Sequence, residues 1–494
     1  MKKTHRHKYI ADKWISYNNR LKSKRCQKNR VSNIGLTDKG ILGSAFEKEI
    51  LDILNNIFPR IYNRDIEDFL RSEKTDEEIE TFIEKNRKQI IHTTHRGFKI
   101  AQNLIIKNLL HIQSEILRLG DIYKEIRVKK VGNPKVISLA IKNLKYKETI
   151  IKNLADTIVW QLAQHKLYIV RRFYQNVAGS KNLEETNYES VLQVANLINK
   201  NPDNFVLLTD LASNFQIGDL FGIINGAYQL IEVKEGDRNH TILETIMSIP
   251  PKELTYDKLN DIFSSNKDLE QAKRMLKQAV TASSEINIIR HDKGFDPVSK
   301  KKIVIHTPDV DTQFYDEHLS SLEQQLMHGK LWGYTVIDDC LHIGLYRGYW
   351  KYLGVPVLKQ IAKMQGITHP LIVDCRSVMH SLDEPIFYLP FSKATIMDIV
   401  SEKAIMYLLL DLDKFMALYS EYGAVSCWIS HKVANKIGIT PDPTLSFEFN
   451  HKLIKIKNMH GIEYILAKGS ICKILFDHIR PRYVALSSMF LREP

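Results

Sequence analysis

Apolar residues recur at three- and four-residue spacing from about residue 41, and that spacing predicts helices. In "KGILGSAFEKEILDILNNIF", Ile41, Phe46, Ile50, Leu54 and Ile57 fall on one side of such a helix. From about 61 to 200 the chain stays helical and rich in charge, ending in the strongly apolar "KNLADTIVWQLAQHKLYIVRRFYQNV". The pattern then shortens. "LFGII" and "YQLI" flank Asn225-Gly226, the strongest short signal for a two-residue type I′ hairpin turn. "NKDLEQAKRMLKQAVTAS" reads as a helix with Leu269, Ala272, Leu276 and Ala279 or Val280 on one side, and "KKIVIHT" as a strand. Beyond 307 the signals mix. "YTVIDDCLHIGLY" predicts a strand pair or one buried strand, while "VPVLKQIAKMQG" and "IMDIVSEKAIMYLLL" read as helices.

The hairpin raises a chemical question. With Asn225-Gly226 as its turn, Ile224 faces Ala227, and the same register sets Asp219 opposite Glu232. Facing side chains have Cβ atoms about 5 Å apart, and like charges there repel. Lys234 projects on the same face, two residues after Glu232. Two carboxylates and an amine thus meet on an otherwise apolar strand pair. A cation between the acids resolves the repulsion, and Mg²⁺ commonly uses one or two carboxylates while keeping several waters. A solvated hairpin with scattered charge is the alternative, but its apolar flanks disfavour it.

This arrangement resembles the signature of the PD-(D/E)xK phosphodiesterase superfamily, the restriction-endonuclease-like fold: an acid on one core strand, then acid-x-Lys on the next. Here the match is Asp219 in "GD" and Glu232-Val233-Lys234 in "EVK", with Gly218 where the pattern has Pro. The resemblance implies an α/β class, an α+β mixed-sheet core, spanning 41–307 with a helical insertion at 61–200. It also implies that Asp219 and Glu232 hold Mg²⁺ (or Mn²⁺), joined by the Val233 carbonyl, and that Lys234 positions or activates the attacking water. Glu47, on the helix before the strands, matches the family's helical acid, although about 170 residues separate it from Asp219. Gln271 matches a glutamine that several branches carry on the following helix, with Met275 where those branches have Tyr. Lys273, Arg274 and Lys277 lie together on that helix and suit phosphate contacts, or simply a solvated face. The implied activity is metal-dependent hydrolysis of DNA, in a stand-alone restriction or phage-defence effector. A ribonuclease with the same site, or a catalytically silent binding or assembly protein, is the alternative.

Charge narrows the nucleic-acid reading to a place. Residues 1–40 hold twelve Lys or Arg and two Asp, so +10 of the net +13 sits there. This arm includes Lys22, Lys24 and Arg25 for phosphates and Tyr9, Trp14 and Tyr17 for stacking. A solubilising tail would have the same composition. Five scattered cysteines, none in CxxC spacing, fit a reducing compartment and disfavour structural zinc. No apolar run reaches the roughly 18 residues of a membrane span and no signal-peptide pattern opens the chain, so the expected location is cytoplasmic. Residues 308–494 are expected to form an accessory α/β domain for substrate recognition or assembly, with a homodimer or a defence-system partner in view. Asp338, Asp339 and His342 make a weak second metal cluster, and Cys375 with His380 a weaker nucleophile and base.

Overall fold

The computed structural model describes residues 42–59 and 76–489, apart from 131, 167–168, 171–181, 214, 216, 251–253, 297–299, 305–311, 328, 381, 444 and 488. The basic arm with Lys22, Lys24 and Arg25 lies outside the described residues. The chain is an α+β protein, and its described sheets are antiparallel. It divides into two compact units, 44–307 with 379–388, and 308–378 with 389–494. Among the described residues, no helix is long and apolar enough to cross a membrane.

The first unit opens with α1 (Ser44–Ile57), which buries Phe46, Ile50, Ile53, Leu54 and Ile57, close to the stripe the spacing predicts. It packs on α2 (Asp76–Lys129) and α3 (Pro134–Leu162), which themselves form a long helical hairpin. Asn133 caps α3, accepting from the Lys135 N–H at 3.0 Å, with Pro134 beginning the helix. The apolar run after 152 does not continue as one helix. Gln164 and His165 both take the left-handed conformation (φ 53° and 57°) and end α3 after Leu162.

After α4 (Tyr188–Ile198), three strands form a meander: β1 (Phe205–Leu208), β2 (Leu220–Ile224) and β3 (Ala227–Ile231). The outer edge of β1 would leave backbone groups unpaired, and two buried amides take them. Asn199 accepts from the Val206 N–H (2.8 Å) and donates to its carbonyl (3.1 Å), while Gln102 accepts from the Leu208 N–H (3.0 Å). At the centre of β2, Gly222 has no room for a side chain. An added Cβ would lie 2.0 Å from the Phe205 carbonyl oxygen and 2.7 Å from Val206 Cα. Those are backbone atoms, so relief requires parting β1 from β2. Gly222→Ala is therefore expected to cost about 1–3 kcal/mol, read as a lower urea midpoint.

The helices α5 (Asp237–Ser248), α6 (Tyr256–Ile262) and α7 (Asn266–His291) follow. Ile242, Ile246, Leu259, Ala272, Met275 and Leu276 join them in one small core. "KKIVIHT" does form a strand, β5 (Lys301–Val304), but over its described residues it pairs with β4 (Lys293–Asp296) in a separate ribbon. It does not extend the meander. The chain reverses at Asp292 (φ 53°), and Gly294 lies against Ile288, which folds the ribbon back onto α7. The free side of β1, meanwhile, is already satisfied by Asn199 and Gln102.

In the second unit, after α8 (Asp316–Met327), Trp332–Ile337 and Leu341–Arg347 pair as the hairpin β6–β7. Gly354–Met364 forms α9, and β8 (Pro370–Asp374) and α10 (Lys393–Val400) come next. The segment "IMDIVSEKAIMYLLL", expected to be helical, is split. Its second half is β9 (Ala404–Asp411), which lies between β7 and β8. A strand buried on both faces is continuously apolar, and periodicity cannot separate it from a buried helix.

Candidate functional site

The hairpin holds the predicted register. Ile224 pairs with Ala227 and Leu220 with Ile231, and both turn residues have positive φ (Asn225 51°, Gly226 76°), as a type I′ turn requires. The paired register ends at Leu220 and Ile231; just beyond it the Asp219 N–H donates to the Ile231 carbonyl at 2.9 Å, and the Asp219 and Glu232 carboxyls meet. They share a face with Phe221 and Tyr228, whose rings stack 6.0 Å apart. That apolar face explains why the acids are only half-exposed.

Gly218, where the family pattern has Pro, has φ +74°. Proline is fixed near −65° and cannot take that conformation, so glycine here follows from the local backbone. Thr209 secures the entry to Asp219: its hydroxyl donates to the Gly218 carbonyl (2.6 Å) and its N–H to the Asp219 carbonyl (3.0 Å).

One oxygen of Asp219, Oδ2, accepts from the Val233 N–H at 2.7 Å. This Val233 N–H orients the carboxylate. Burial and the neighbouring Glu232 carboxylate, with a hydrogen bond between the two carboxyls, push Asp219 up to about 6. The Val233 N–H and the charge of Lys234 act in the opposite direction. Lys234 Nζ donates to Glu232 Oε2 (3.2 Å) and to Gln278 Oε1 (2.9 Å), and only 14% of its side chain is exposed.

Gln278, not Gln271, is the glutamine that meets Lys234. Gln271 lies two turns earlier on α7 and donates to Asn239 Oδ1 at 2.9 Å. The signal for Gln278 was its seven-residue spacing from Gln271, which sets both on one side of a helix. Met275, between them, is buried in the small core instead. Glu47 is half-buried on the first turn of α1, a helix that packs on α2 and α3. Glu47 is not among the main groups acting on Asp219. A buried acid that sequence reading passed over is Asp156 of α3, which accepts from the N–H (2.9 Å) and hydroxyl of Ser213 and fixes the loop leading to β2.

The cations of α7 line an open groove of about 1030 Å³ together with Arg238, Asn239 and Tyr256. Lys267, Gln271, Arg274 and Gln278 stand at i, i+4, i+7 and i+11, so the face that walls the groove continues to the residue touching Lys234. Lys273 lies 3.7 Å from Glu270, whereas Lys267, Arg274 and Lys277 have no ion-pair partner among the described residues.

As for metals, no cluster of three or more His, Cys, Asp or Glu side chains is arranged to hold one among the described residues. The hairpin therefore offers two carboxylates, a hard-oxygen set that suits Mg²⁺ or Mn²⁺ bound largely through water. Burial first, and the neighbouring Glu232 carboxylate second, raise the proton affinity of Asp219. Among the weaker candidates, Asp338 and His342 are bonded within the fold. Asp338 accepts from Arg480 (2.6 Å) and from the Arg482 N–H (2.9 Å), and His342 pairs with Tyr334 (2.6 Å). Cys375 is buried, with its thiol pushed well up by burial, and His380 is exposed.

No protein-family model, curated protein or solved structure matches this chain.

Proposed function

We propose that the chain is a metal-dependent nuclease that hydrolyses phosphodiester bonds at the hairpin, with DNA as its substrate. The observation that carries this reading is the facing of Asp219 and Glu232, with Lys234 held between Glu232 and Gln278. Asp219 and Glu232 would hold the ion, and the Val233 N–H keeps Asp219 oriented toward it. A divalent ion bound there would lower the pKa of its water and offset charge on the phosphate. Lys234 cannot swing freely, so its ammonium is set to orient the attacking water and to meet charge developing on phosphate oxygens. Lys267, Arg274 and Lys277 would fix the register of the strand through its phosphates.

Incubation of DNA and RNA of mixed sequence with Mg²⁺ tests the substrate. Cleavage of DNA that EDTA stops is expected, and cleavage of RNA alone would reassign it. Binding tests the groove separately. Arg274→Glu combined with Lys277→Glu is expected to weaken DNA binding about 10- to 100-fold at low salt, and to flatten its salt dependence, because two phosphate contacts are lost. Unchanged binding would place the nucleic acid elsewhere.

A further inference from the structure

The groove along α7 is not uniformly basic. Its lining also includes Tyr256, the first residue of α6, which is 49% exposed. Among the described residues this ring has no aromatic, cationic or hydrogen-bonding partner. Thr255 caps α6, accepting from the Lys258 N–H at 3.2 Å, so the ring is carried on an ordered backbone. The same lining holds Lys267, Arg274 and Lys277, which have no ion-pair partner among the described residues, and the bonded amides of Asn239 and Gln271.

Cations that track a backbone, together with an open ring beside them, form the combination that binds single strands: phosphates meet the charges and an unpaired base stacks on the ring. A duplex can use the cations but keeps its bases stacked on one another, and so leaves Tyr256 unused. From Lys267 to Gln278 the helix advances about 16 Å, room for a few nucleotides leading to Lys234.

We propose that this groove binds a single-stranded segment of nucleic acid, with Tyr256 as the stacking platform for an unpaired base near the cleavage site. The inference rests on the nuclease reading for the location of the reacting phosphate. The strand runs along α7, and the base facing Tyr256 leaves its neighbours in the stack. Preference for single-stranded or locally opened substrate then comes from the ring, while general affinity comes from the cations.

The test is binding in EDTA, where nothing is cut, of a fluorescent oligothymidine and of a blunt duplex of equal length. Wild type is expected to hold the oligothymidine more tightly. Tyr256→Ala should weaken it about 10-fold without changing duplex binding, and Tyr256→Phe, which keeps the ring, should bind as wild type. Tighter binding of the duplex, or equal oligothymidine binding by Tyr256→Ala, overturns the proposal and leaves the metal site untouched. Should the predicted binding appear in a protein that cuts nothing with Mg²⁺, this proposal stands and the nuclease reading fails.

Discussion

Asp219→Asn is expected to abolish metal-dependent cleavage, by at least about 10²- to 10³-fold, while making the metal-free protein more stable at neutral pH. Both effects have one origin. Asp219 is a carboxylate placed against another carboxylate on an apolar face, and its proton affinity rises from the ordinary 3.8 to about 6. A group whose folded pKa is raised contributes stability that is fully present below the unfolded value and lost as pH rises through the folded one. Between about 4 and 6 the metal-free protein therefore loses stability, and above 6 it carries the full cost of the charged pair. After allowance for solvent reaching the site, that cost is on the order of 1–2 kcal/mol. Asparagine can still accept from the Val233 N–H and can donate to Glu232, so the repulsion goes and the geometry stays. Thermal melts in EDTA at pH 7.5 should rise by a few degrees in Asp219→Asn, and the gap should close near pH 4. With Mg²⁺ the order should reverse, since only wild type gains stability from binding the ion. A lower melting temperature for Asp219→Asn in EDTA would mean that the two acids are not in conflict.

Lys234→Met is the second large effect, with an expected loss of about 10²- to 10³-fold in kcat. The side chain is nearly enclosed and held by Glu232 and Gln278, so its removal takes away a positioned ammonium and leaves Glu232 without its cation. A positioning role at the reacting phosphate predicts that substrate binding in EDTA changes little while turnover collapses. A merely structural role would weaken both together. Lys234→Arg should fail to rescue turnover, because the planar guanidinium cannot reproduce the two contacts of the ammonium in the same space. Loss of Lys234 also removes a charge that holds Asp219 down. The stability loss that wild type shows between pH 4 and 6 should then extend to higher pH in Lys234→Met.

The hairpin was the most legible part of the molecule, because its register is set by two adjacent residues. Asn225-Gly226 fixes the turn, the turn fixes the pairing as far as Leu220 and Ile231, and the residues just beyond, Asp219 and Glu232, meet through their carboxyls. The side of α7 that bears Lys273, Arg274 and Lys277 was legible for the same kind of reason, a fixed period. What escaped were contacts that depend on where elements sit. Gln271 fits a sequence pattern, yet Gln278 is at the level of Lys234, since a helix slid by two turns presents an identical face. The caps on β1 from Gln102 and Asn199 cross 106 and 7 residues of sequence, and no local signal announces them. β9 was misread because burial on both faces erases the alternation that distinguishes a strand.

The most direct measurement is cleavage of supercoiled plasmid by wild type, Asp219→Asn and Lys234→Met, each with Mg²⁺, with Mn²⁺ and with EDTA. Nicking or linearisation by wild type with either metal, absent in EDTA and absent from both variants, is the expected result. Cleavage that persists in Asp219→Asn and Lys234→Met would contradict the assignment of the hairpin as the active site.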